Sequence, residues 1–331
     1  MSKINLFKEK NKKKAHNIMY YVSYLIYEQD YSNLNLKRLF NNNLGIKYVI
    51  LLSDSSSYYI SQMLANYLRK HSTFIFVYVY SSYYVMIDNN LNNKSTLCFF
   101  IYSTQKQIHN KCNNGSVSKC NVIHLFCPFI LYHIVQQRTS CIFYLEALYF
   151  SLLFHKMNKN IKQINTFKQD MIMLPTQMEM INNLINFNKN VIRNKMDCKE
   201  VYIVTLDSDP SSCKWFAQQL KKRYKYITHV YVEKKIESSI LHRLSCKTTL
   251  FILIHKDNSI QLSCELKKMY LILKKHNFEM LVISQSIEKD IETKDMLQLP
   301  QSIYCSYFTL LYVLNCILNV VECIDNNYIK N

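Results

Sequence analysis

Two short runs of hydroxyl side chains have the chemistry to hold an oxyanion. One is Ser53, Asp54, Ser55, Ser56 and Ser57, lying between the apolar run that starts at Val49 and a helix-like stretch from Tyr58. The other is Ser103 and Thr104, which directly follow a second apolar run, 97–102. Hydroxyls and backbone amides at a strand's carboxyl end, leading into a helix N-terminus, suit a phosphate. Neutral donors suffice for such a dianion, because several hydrogen bonds and a helix dipole share its charge. Ser and Asp also serve simply as helix N-caps. From the residues alone both readings stand.

The flanking elements decide whether the two runs can meet. Apolar runs at 48–52, 74–80, 97–102 and 122–126 read as strands, with helices at 58–71 and, more weakly, 105–111. Each run is short and continuously apolar, the pattern of a parallel sheet covered on both faces. A similar series follows at 201–206, 229–232, 250–254 and 280–284. Ala65 then pairs with Ala217 and Leu68 with Leu220, an offset of about 152 residues, which implies a duplicated unit. Strand, helix, strand at this spacing forces right-handed crossovers. The expected fold class is therefore α/β, with two tandem doubly wound parallel sheets, each a three-layer α/β/α domain. The expected organisation is a disordered basic lead over 1–14, a lead-in helix over 15–36, a first domain over 37–168 and a second over 169–331. A long helical stretch, 139–157, closes the first domain. A polar connector, 158–168, leads to a helix with Pro175 in its first turn and Met178, Ile181, Leu184 and Ile185 at helical spacing.

The bulk numbers narrow the function classes. A chain of 331 residues with 49% hydrophobic content can bury two ordinary cores. The net charge of +18 invites nucleic acid. Much of it, however, lies in a Lys-rich lead and in scattered Lys, with no nucleic-acid-binding motif beside it. A solvated basic surface is the reading taken, with no nucleic-acid partner. The 12 Cys form no C-x-x-C pair, which fits reduced core thiols in a cytoplasmic protein and no metal site. The apolar stretch from Ile303 is about 20 residues long but carries Ser306, Asn315, Asn319 and Glu322. It reads as a buried closing helix, and no membrane partner is expected. No cofactor motif is present, and only Gly45 and Gly115 are available for tight phosphate turns.

Several segments, in order, resemble the paired sugar-isomerase (SIS) domains of glutamine–fructose-6-phosphate aminotransferases. The segment 26–29, Ile-Tyr-Glu-Gln, matches the family's lead-in, and 53–59 resembles A-C-G-T-S-Y-H with Ser56 at the Thr and Ser57 at the Ser. The segment 100–107 lies over S-Q-S-G-E-T, with Ser103 at the Gln, Thr104 at the second Ser and Gln107 at the Thr. The segment 138–148 keeps a Thr-Ser pair, Thr139 and Ser140, and puts Cys141 where the family has Lys. Leu174–Pro175 resembles the opening of the second domain, and the stretch from Ile303 resembles the closing segment. The resemblance implies phosphate binding by Ser56, Ser57, Ser103, Thr104 and Gln107.

The departures fall on the acid–base residues. The family's Lys–Glu pair, which opens the ring and moves the proton, lands on Arg223 and Tyr224. Arg stays charged and cannot relay a proton as Lys does, and Tyr is a poor base at neutral pH. Glu237 matches a family Glu, His242 is displaced from the ring-opening His, and Lys330 is about one position off the sugar-contacting Lys. These three are weak catalytic candidates. Lys221 and His229 complete the groups available to an active isomerase. The chain opens Met1, Ser2, Lys3, where the family's amidotransferase half begins with a nucleophilic Cys. The resemblance thus implies a phosphosugar ligand, a homodimer and, for any amination, a separate glutaminase chain. The expected function is sugar-phosphate binding in the hexosamine pathway without standard catalysis. The alternatives are a divergent aldose–ketose isomerase or aminotransferase using ammonia from elsewhere, or a scaffold with an empty crevice.

Overall fold

The computed structural model describes residues 47–53, 58–71, 76–81, 88, 90–102, 119–126, 161–206, 210–232, 238–255, 260–285, 291–301 and 306–328. The chain divides into two compact units, Met1–Pro175 and Thr176–Asn331. The expected lead, the lead-in helix and the helices at 105–111 and 139–157 lie outside the described residues.

In the first unit, strand β1 (Tyr48–Ser53) lies between β2 (Phe76–Tyr80) and β3 (Thr96–Tyr102), and β4 (Asn121–Phe126) flanks β3. All these pairings are parallel. Val49, Ile50, Leu51 and Leu52 are buried, as a strand covered on both faces requires. Helix α1 (Tyr58–His71) carries β1 across to β2 and buries Ser61, Leu64, Ala65 and Leu68, a single stripe at helical spacing.

Helix α2 (Ile161–Phe187) differs from the expected break. Pro175 lies well inside it, and the expected polar connector is helical from Ile161. Its Lys162, Gln163, Lys168 and Gln169 are good helix formers. The helix continues through Pro175, although proline ordinarily costs about 3 kcal/mol in a helix interior. Helix α3 (Lys189–Lys195) continues the path into the second sheet.

In the second unit, β5 (Glu200–Thr205) is flanked by β6 (Ile227–Tyr231) and β7 (Thr249–His255); β8 (Glu279–Ser284) and β9 (Met296–Gln298) extend the sheet beyond β7. The strand order is β6-β5-β7-β8-β9, again wholly parallel. Connecting them are α4 (Ser211–Tyr224), α5 (Ser238–Leu241) and α6 (Ile260–Lys275), and α7 (Ser306–Tyr328) closes the unit. Tyr202, Val204, Phe251, Leu253, Met280 and Val282 pack on Leu266, Met269, Tyr270 and Leu273 of α6. On the other face α4 and α7 lie against each other, with α4 on β5 and α3 on β8. The middle of helix α7 is buried: Leu310, Leu311, Val313, Leu314, Ile317 and Leu318 are all in the core, with Thr309 and Asn315 buried among them. No helix among the described residues is long and apolar enough to cross a membrane.

Scarce glycine leaves a local trace. Lys225, after α4, and Asn277, after α6, take the left-handed conformation that glycine commonly supplies at helix ends.

Candidate functional site

Chain β1 leads left to β2, and the next strand, β3, returns to the right of β1. The strand order therefore reverses between β1 and β3, and open α/β sheets bind ligands outside the carboxyl ends of their strands at such a point. Ser53 pairs with Ile101, so the two strands end side by side. Buried Ser53 donates its hydroxyl to the Tyr80 carbonyl at 3.2 Å, tying the end of β1 to that of β2. From these ends depart the segments bearing Ser56 and Ser57, and Ser103, Thr104 and Gln107. The five residues themselves lie outside the described residues. Helix α1 begins directly after the first of those segments, and no acidic side chain occupies its first turn. Its dipole is thus left to attract an anion. Gln62 donates to the Tyr58 hydroxyl at 2.8 Å, which fixes the aromatic head of the helix.

In the second unit the reversal falls between β5 and β7, where Thr205 pairs with Ile254. Buried polar residues gather at this carboxyl edge: Thr205, Ser211, Ser212, His255, Ser284 and Gln285. Pro210 takes the cap position of α4 and no side chain caps the helix.

The acid–base candidates are scattered. Tyr224 donates its hydroxyl to the Leu318 carbonyl of α7 at 3.2 Å, a packing anchor. His229 Nε2 lies 2.9 Å from Glu200 Oε1, and its ring stacks on Tyr202 with centroids 4.5 Å apart. Tyr202 donates to the same carboxylate at 3.1 Å, and burial, then the Glu200 charge, raises its phenol well above the ordinary range. Glu200 opens β5, so this cluster sits toward the amino end of the sheet. His242 is exposed beyond α5, edge-on to His276 at 5.6 Å. Lys221 is exposed on α4, which also carries Arg223. Glu237 and Lys330 lie outside the described residues.

One polar centre had no local signal in the sequence. Lys195 Nζ, at the end of α3, lies 2.6 Å from Asp295 Oδ1 and 3.1 Å from Glu279 Oε2. Tyr270 donates to the other Asp295 oxygen at 2.9 Å. Burial, then Asp295, pushes the Tyr270 phenol up to about 12. Its members are dispersed along the chain, so only the fold reveals it. Among the described residues Cys98, Cys213 and Cys316 are buried, and no group of ligands could hold a metal.

No family model matches the sequence, and no curated protein does. Solved structures do match. The C-terminal domain of glucosamine-fructose-6-phosphate aminotransferase from Francisella tularensis superposes with a TM-score of 0.64 at 12% identity, covering 91% of this chain and 94% of that one. Tagatose-6-phosphate ketose/aldose isomerase from Escherichia coli gives 0.59 at 12% identity, covering 95% and 92%. The likeness at these identities is one of fold, and the fold is that of the sugar-isomerase (SIS) proteins.

Proposed function

We propose that this chain is a sugar-phosphate-binding protein built from two SIS-type domains, 37–168 and 169–331, preceded by a basic lead and a lead-in helix. The phosphate sits at the carboxyl edge of the first sheet, held by Ser56, Ser57, Ser103, Thr104 and Gln107 and by the N-terminus of α1. The supporting observation is the side-by-side ending of β1 and β3 at the strand-order reversal, with Ser53 against Ile101. Standard isomerase chemistry is absent from this reading. At the positions of the resembled Lys–Glu pair stand Arg223, which cannot relay a proton, and Tyr224, which is committed to the Leu318 carbonyl. The protein acts in the cytoplasm as a homodimer that senses or carries a hexosamine-pathway phosphosugar, and a separate glutaminase chain would be its partner in any amination.

The test is thermal unfolding with fructose 6-phosphate, glucosamine 6-phosphate and inorganic phosphate. A ligand at about one hundred times its Kd adds roughly 2.7 kcal/mol to a folded state that alone binds it. Ser57→Ala with Thr104→Ala should weaken the hexose phosphate at least about tenfold. Unchanged affinity in that variant would remove the cradle. Interconversion of fructose and glucose 6-phosphate above blank would assign the isomerase activity instead.

A further inference from the structure

We infer that the second unit carries an oxyanion site of its own, between the N-termini of α4 and α7, where Ser212 and Gln285 grip a phosphoryl group. This site is separate from the one proposed in the first unit, and either can fail alone.

Helix α4 leaves the carboxyl end of β5 and so starts at the carboxyl edge. Helices α2 and α3 run into the amino end of β5. Gln177 of α2 donates to the Gln301 carbonyl at 3.2 Å, and farther along α2 Asn182 accepts from Tyr312 at 2.8 Å. Helix α7 therefore runs in the same sense as α2 and also starts at the carboxyl edge. Tyr224 is thirteen residues beyond Ser211 and touches Leu318, twelve beyond Ser306. At a rise of about 1.5 Å per residue the two helix starts are close to level. Neither first turn contains an acidic residue. Two positive dipole ends thus lie side by side.

Unspent donors stand at the same edge. Ser212, in the first turn of α4, is 1% exposed, and its Oγ has no hydrogen-bond partner. Gln285 is 2% exposed, and its Nε2 likewise has none. The Gln285 amide donates to the His255 carbonyl at 3.3 Å, continuing the ladder one residue past β8. Strand alternation then places Gln285 on the face of Leu281 and Ile283, opposite Met280 and Val282, which pack on α6. That is the face covered by α3, α4 and α7. Buried donors without acceptors are rare and need an explanation. Thr249 Oγ1 and Arg193 Nε also lack a partner, but Thr249 opens β7 and Arg193 sits in the last turn of α3, both away from the two helix starts. The carboxyl edge thus holds an open amide donor, an open hydroxyl and two helix starts, groups whose common ligand is an oxygen-rich anion.

The full chain carries its own reporter. Trp215, the only tryptophan, is buried on α4 one turn from Ser212. Inorganic phosphate should change Trp215 fluorescence saturably, in wild type and in Ser57→Ala/Thr104→Ala alike. Fructose 6-phosphate should do the same; a response to the sugar phosphate alone would assign the site to the esterified form. Adding Ser212→Ala and Gln285→Met should weaken the response at least about tenfold. Ser212→Ala alone, without ligand, should leave Tm unchanged or raise it, since it deletes an unsatisfied hydroxyl. No saturable response to either compound, a response untouched by the two substitutions, or a fall in Tm for ligand-free Ser212→Ala would each overturn the site. Loss of hexose phosphate binding in Ser57→Ala/Thr104→Ala with a retained Trp215 response would instead separate the two sites.

Discussion

At the amino end of the second sheet, Lys195 is held between Asp295 and Glu279, Tyr270 closes the ring of contacts, and His229 and Tyr202 share Glu200. At its carboxyl end, Ser212 and Gln285 are just as deeply buried and have unused donors. The amino end completes its charge pairs within the chain, which is how a fold stabilises itself. The carboxyl end leaves Ser212 and Gln285 open; Thr249 Oγ1 and Arg193 Nε are open elsewhere, and what marks the carboxyl end is the pair of helix starts at the same edge. The contrast separates structure from binding within one domain.

The largest expected effect breaks the amino end. Lys195→Met leaves Asp295 buried without its cation and should cost about 3–5 kcal/mol by urea denaturation. Combining it with Asp295→Leu should recover most of the loss, because a buried ion pair is seldom better than well-packed apolar groups. A loss below about 1 kcal/mol for the single variant would mean that the pair contributes no more than an exposed one.

Next in size is Tyr224→Phe. It removes the bond to the Leu318 carbonyl and should cost about 1 kcal/mol. Hexose phosphate affinity and any turnover should be unchanged. A loss of turnover with intact stability would return Tyr224 to catalysis and erase the division drawn above.

At the carboxyl end the expected stability change is near zero. Gln285→Met keeps chain length and deletes an unsatisfied amide, so ligand-free stability should stay within about 1 kcal/mol of wild type or rise. The same kind of substitution at the two ends of one sheet should therefore differ in outcome by several kcal/mol.

The sheets were the legible part of this chain. Short continuous apolar runs such as Val49–Leu52, bounded by turn residues, fit strands buried on both faces, whereas the longer run around Leu310 is a helix. Helix α1, expected over 58–71, occupies those residues. The start of α2 was not legible, because a proline ordinarily marks a helix's first turn and here lies well inside one. The sequence shows two hydroxyl runs after two strands, and the fold puts those two strands side by side; the cradle proposed from them lies outside the described residues. The second edge was passed over. Ser212 and Gln285 follow strands far apart in the sequence, so no single segment shows both. The Lys195–Asp295 pair joins the ends of elements about 100 residues apart, and no local pattern encodes such a contact.

The smallest expected effect concerns acid. Lys274, then Lys294, holds the Glu292 carboxyl down to about 2 from an ordinary 4.5. A depressed carboxylate pKa contributes stability at pH above the unfolded value, and this contribution is lost as pH falls from about 4.5 towards 2. The group is exposed, so salt should weaken the effect. Glu292→Gln should lower the urea midpoint slightly near pH 7 and leave it unchanged near pH 2, where wild type has lost the same charge. An equal drop at both pH values would trace the loss to packing rather than to the carboxylate. Because Glu292 borders Asp295 and its amide donates to the Tyr270 hydroxyl, acid should loosen the amino end first. Phosphate reported by Trp215 should remain bound at a pH where that end has begun to yield, until the ligand itself is neutralised.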